Sequence, residues 1–169
     1  MKYKLSEKKY YQVIWVTIAV LILFFAFMDM QGYWMIDKVG GYPGETYAVM
    51  GPDYMSFFWS FASFIIIALA TMFYFFRKDI SESIAIFVGA QLMLFGGWED
   101  AIYWVLQGGA VPLSWVYLYN TPIGWGVKLL GLQSVTLWSF LIQLVISLFL
   151  THKLIGWLRK QKTLLGFKV

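Results

Sequence analysis

Three observations predict an all-α integral membrane protein, a four-helix bundle with both termini cytoplasmic and two aromatic-rich outer loops. Only 13% of the 169 residues are charged, 60% are hydrophobic, and four apolar stretches are long enough to cross a bilayer. A soluble domain carries about 25% charged residues, so the deficit points to lipid as the solvent. The third observation is how the basic residues are distributed, taken up below.

A helix needs about 20 mostly apolar residues to cross the bilayer core. The first such stretch runs from about Tyr11 to Met28, the second from Tyr54 to Phe76, the third from Ile80 to Leu106, and the fourth from Leu132 to Leu154. The third is interrupted by polar groups. The first has a basic start, but "FMDMQGYW" after it offers no small-residue cleavage site, so it reads as a retained anchor. No repeat, low-complexity tract or linker divides the chain, which predicts one transmembrane domain over residues 1–169.

Lysine and arginine in the flanks set orientation. Eleven of the thirteen lie at the N-terminus, in the turn after the second span (Arg77, Lys78) or in the tail from Lys153 onward; only Lys38 and Lys128 fall on the other side. That predicts four spans with both termini inside, in a plasma membrane. The lack of cysteine and of eukaryotic sorting signals suggests a prokaryotic one. The outer side carries Asp29, Asp37, Glu45, Asp53, Glu99 and Asp100, a field suited to cations or a basic partner. The tail reads as a basic amphipathic segment against anionic head groups.

The first outer loop, "DMQGYWMIDKVGGYPGETYAVMGPD", contains the turn signals "GGYPG" and "GP". The second, "QGGAVPLSWVYLYNTPIGWGVKLLG", places Trp115, Tyr117, Tyr119 and Trp125 where aromatic rings suit a membrane–water interface. The alternation in "WVYLY" fits a short strand, an interfacial helix or an irregular cap.

In lipid, helices associate through small residues and interhelical hydrogen bonds. The third span carries a heptad seam of Glu82, Ala85, Gly89, Leu92, Gly96, Glu99 and Tyr103. Gly89 and Gly96 are expected to admit a neighbouring helix. The fourth span carries a polar stripe at Thr136, Ser139, Gln143 and Ser147, and the second carries Ser56, Ser60 and Ser63. These three faces are expected to meet, with Gln143 hydrogen-bonded across the bundle. Glu82 is expected to form an inner salt bridge or to cap the third span.

The stretch "LFGGWEDAIYW" holds two adjacent carboxyls, Glu99 and Asp100, near the outer end of the third span. Neighbours on a helix point about 100° apart, so Glu99 continues the glycine seam and Asp100 looks toward its flank. Asp29 ends the first span and Asp53 starts the second at a similar depth. The four are expected to converge under the outer loops, with Tyr103 beside them. Such a group can hold a hard divalent cation, share protons as an acid–base or relay site, or hold a cationic ligand among aromatic rings. Its structural alternative is to pin the outer loops through Lys38, Lys128 or loop amides. If a metal binds, Asp29, Glu99 and Asp100 are its ligands. A bound lipid is the other cofactor considered.

Much is excluded by what is missing. There is no cysteine and one histidine, His152, so thiolate sites and multi-histidine metal centres cannot be built. No lysine lies mid-span, no arginine ladder marks a voltage sensor, and no nucleotide-loop or serine-nucleophile motif occurs. Nucleic acid is not an expected partner. The sequence thus favours a non-catalytic accessory subunit of a larger membrane complex, partnered by lipid and other transmembrane subunits. The alternative is an outward-facing cation- or ligand-binding protein, or an enzyme, centred on Asp29, Glu99 and Asp100.

Overall fold

The computed structural model describes residues 7–40, 45–108, 113–115 and 117–164, and the side chains of 7, 32–40, 45–56, 115, 117, 120 and 162–164 lie outside what is described. Six helices account for nearly all of it: α1 (Glu7–Gly40), α2 (Glu45–Arg77), α3 (Ile80–Phe95), α4 (Trp98–Gln107), α5 (Pro122–Leu129) and α6 (Leu137–Leu164). Three are long and apolar enough to cross a membrane, over Lys8–Gln31, Phe57–Arg77 and Leu137–Gln161. A fourth crossing arises if α3 and α4, bent by 59° at a short break, form one broken span. Helices dominate because lipid offers the backbone no hydrogen-bond partners, so each segment must satisfy its own.

α3 is the central element, packed against α1, α2 and α6, while α4 packs on α1. Its start is fixed locally. Asp79 is the N-cap, and its carboxylate accepts from the backbone N–H of Ser81 (3.1 Å) and of Glu82 (3.3 Å). Glu82 is buried and takes the salt bridge, 3.2 Å from Arg77 Nε. A side-chain cap of this kind is worth about 1 kcal/mol.

The glycines of α3 sit at the helix contacts. A Cβ at Gly89 would lie 2.7 Å from Ile18 Cδ1 and 3.2 Å from Thr151 Cγ2; one at Gly96 would run into the Ser147 side chain. α3 ends at Gly96. Gly97 has φ +86°, a conformation open to glycine at little cost. Side-chain hydrogen bonds tie this break to α6. Gln143 Nε2 donates to Phe95 O at 2.9 Å, and Trp98 Nε1 donates to Leu144 O (3.2 Å) and Ser147 Oγ (3.1 Å).

The expectations need correcting in four places. The stretch 29–53 is helical wherever it is described: α1 runs to Gly40 and α2 starts at Glu45. Pro52 lies inside α2, where it forfeits one helix hydrogen bond. The fourth span starts at Leu137 rather than Leu132, since Val135–Thr136 pairs antiparallel with Ser114–Trp115. Thr136 and Ser139 then cap α6 reciprocally, with Thr136 N–H donating to Ser139 Oγ at 2.9 Å and Ser139 N–H to Thr136 Oγ1 at 3.3 Å. The serine face of α2 does not join the other two: Ser60 is exposed, Ser63 half-buried, and the Ser56 side chain lies outside the described residues.

A buried carboxyl cluster as the candidate functional site

The site forms where the α3–α4 break meets α1. Glu99 and Asp100 occupy the first turn of α4, whose N-cap Gly97 supplies no side-chain hydrogen bond. The unpaired backbone N–H groups of a helix start carry partial positive charge, which favours carboxyls there. Asp29 comes from the neighbouring face of α1. All three are buried: Asp29 is 4% exposed, Glu99 2% and Asp100 6%.

The three side chains line one cavity of about 10 Å³ with Phe58 and Trp59 of α2 and with Leu118 and Thr121. The last two belong to the segment between α4 and α5. Leu118 lies in a 3-10 turn, Tyr117–Asn120, and Thr121 precedes α5. The Thr121 hydroxyl donates to Leu118 O at 2.7 Å. A cavity of this size holds about one water molecule or an ion of that size.

Three carboxyls, of Asp29, Glu99 and Asp100, thus face one chamber. Ionised carboxylates only accept hydrogen bonds, so three of them around one chamber could not donate to one another. Glu99 Oε1 is buried without a hydrogen-bond partner, and so is the indole Nε1 of the cavity-lining Trp59. An acceptor and a donor are therefore left unmet at one small chamber. Each unmet buried group costs about 1–3 kcal/mol.

Asp29, Glu99 and Asp100 thus come together as the sequence suggested, and both members of the adjacent pair reach one chamber. The Asp53 side chain lies outside the described residues. Tyr103 is buried nearby but does not line the cavity; its hydroxyl accepts from Gln107 Nε2 at 2.6 Å. Among the described residues, no group of three or more acidic or imidazole side chains is disposed to hold a metal ion. Lys128 lies with its Nζ 4.6 Å from the Tyr119 ring centroid. His152, at the far end of α6, is exposed and stacks with Tyr11 and Trp15, at centroid distances of 5.8 and 6.5 Å.

Sequence reasoning missed Trp59, Leu118 and Thr121. Trp59 stands in "FFWSF", indistinguishable there from a lipid-facing ring. Between the cluster and Glu82, α3 buries Ser83, Ala85, Ile86, Gly89, Ala90, Met93 and Leu94, and Gln91 adds a buried Oε1 without a hydrogen-bond partner.

No protein-family model matches the chain, and neither does any curated protein or solved structure.

Proposed function

We propose that the chain is a multi-pass plasma-membrane protein whose Asp29–Glu99–Asp100 cluster is an outward-facing binding site for one positive charge, a proton or a small monovalent cation. In this reading α1, α2, the broken α3–α4 pair and α6 are the four spans of a bundle. The termini and the α2–α3 turn face the cytoplasm because the basic residues collect there. The observation that carries the reading is the Glu99 carboxyl, buried between two others with an unmet oxygen on a water-sized chamber. Buried charge is tolerated only when compensated, and among the described residues no lysine or arginine lines this cavity.

Side-by-side titration of wild type and Glu99→Gln in zwitterionic nanodiscs tests this, with sodium present or absent. Wild type is expected to hold one positive charge more than the variant at pH 7. In a proton site the excess is a proton whatever the salt. In a cation site sodium displaces it and is itself retained. Equal proton and sodium content in the two proteins contradicts the proposal.

The accessory-subunit reading keeps support from one feature. α6 packs chiefly on α3 and leaves Trp138, Ile142, Val145, Ile146 and Phe149 each more than half exposed. A partner helix would cover that face. Co-purification with other subunits in fixed ratio, measured by native mass spectrometry, supports this reading, and a lone monomer or homo-oligomer sinks it.

A further inference from the structure

We propose that the groove between α2 and α3 holds one acyl chain of an anionic phospholipid, with the lipid phosphate at Lys78. The proposal rests on the membrane placement of the helices and not on the carboxyl site. The groove has a volume of about 470 Å³ and is lined by Ile67, Ala70 and Tyr74 of α2 and by Ile80, Ile84 and Phe87 of α3. Those positions recur at helical spacing, so each wall is a single helix face.

The walls suit methylenes and not a polar ligand. The two hydroxyls in the groove are already engaged: Thr71 Oγ1 donates to Ile67 O at 2.8 Å, and Ser83 Oγ donates to Asp79 O at 3.1 Å. Size discriminates between occupants. Seven residues of helix, the span from Ile67 to Tyr74, rise about 10 Å. Spread over that length, 470 Å³ gives a cross-section of about 45 Å². A helix about 10–12 Å across needs about 80–110 Å². An extended hydrocarbon chain lies within that section along its whole length, whereas a partner helix would stand partly outside it.

Charge selects the head group. The turn joining the two walls holds Arg77 and Lys78. Arg77 is engaged with Glu82 at 3.2 Å. Lys78 is exposed, and its Nζ lies 5.9 Å from the ring centroid of Tyr74, a wall residue, and 5.3 Å from that of Phe75. Its backbone fixes it there: φ is +52° and its N–H donates to Tyr74 O at 2.7 Å. An ammonium is thus held at the rim, where a phosphodiester would sit when its acyl chain fills the groove.

Native mass spectrometry of the full chain from nanodiscs of equal phosphatidylglycerol and phosphatidylcholine tests this. Wild type is expected to retain one phosphatidylglycerol in preference. Lys78→Ala is expected to lower that preference about fivefold, the weight of one basic residue at an anionic surface, while keeping a bound lipid. Thr71→Trp, made at an exposed position, fills the groove and is expected to lose bound lipid of either kind. Equal retention of the two lipids by wild type overturns the proposal. So does unchanged retention in Thr71→Trp, or a dimer formed through this face.

Discussion

Glu99→Gln is expected to make the folded protein more stable while removing its bound positive charge. The amide keeps the shape of the side chain and can donate to Asp29 and Asp100, so it supplies the hydrogen the carboxyl cluster otherwise needs from outside. It also removes one ionisable group from a position 2% exposed. Substitutions that relieve a functional site of buried charge commonly gain about 0.5–2 kcal/mol. Unfolding in micelles, followed by circular dichroism, reads the sign. The alternative role, carboxyls that pin the outer loops in place, predicts the reverse. A loss of 1 kcal/mol or more in Glu99→Gln would therefore assign the cluster to structure and leave the binding proposal without its main support.

Gly96→Leu is expected to be the most damaging change in the transmembrane part. Gly96 has φ −72°, which any residue adopts, so its cost is steric. A Cβ there meets Ser147 Oγ and Cβ and lies 3.0 Å from Leu92 O. None of these is the free end of a long side chain, so α3 and α6 must move apart. That would break the Trp98 bonds to Leu144 O and Ser147 Oγ that hold the break in place. Overpacking of this kind costs about 1–3 kcal/mol. Gly89→Ala is the control. Its nearest neighbour is Ile18 Cδ1, a side-chain tip that can rotate away, so a smaller loss is expected in the same unfolding assay. Equal stability of Gly96→Leu and wild type would mean that the two helices do not pack as described.

The spans were legible because hydropathy reports the solvent directly: a helix in lipid must be apolar whatever its neighbours are. The glycine seam was legible for a related reason, since close approach between helices selects residues without a Cβ. Glu99 and Asp29 could be paired by depth alone. What could not be read depends on remote contacts. The ladder of Ser114–Trp115 with Val135–Thr136 joins segments 20 residues apart, and no local pattern in "SVTLW" separates it from the start of a span. Thr121 and Leu118 reach the cavity only because the segment after α4 folds back against Trp98, Ala101 and Trp104. Ser60 illustrates the opposite failure. A serine at helical spacing looks like an interhelical contact, but a hydroxyl can instead bond within its own helix, as Thr71 does to Ile67 O.

The central claim is that the cluster carries one bound positive charge. Infrared spectroscopy of the purified protein in lipid at pH 7 tests it most directly, because the carbonyl stretch distinguishes a protonated acid from a carboxylate. The account predicts one of two results for wild type. Either an acid band is present that Glu99→Gln removes, or carboxylate bands shift when sodium replaces a large organic cation, a shift absent in Glu99→Gln. Wild-type spectra with no acid band and no response to sodium would contradict it.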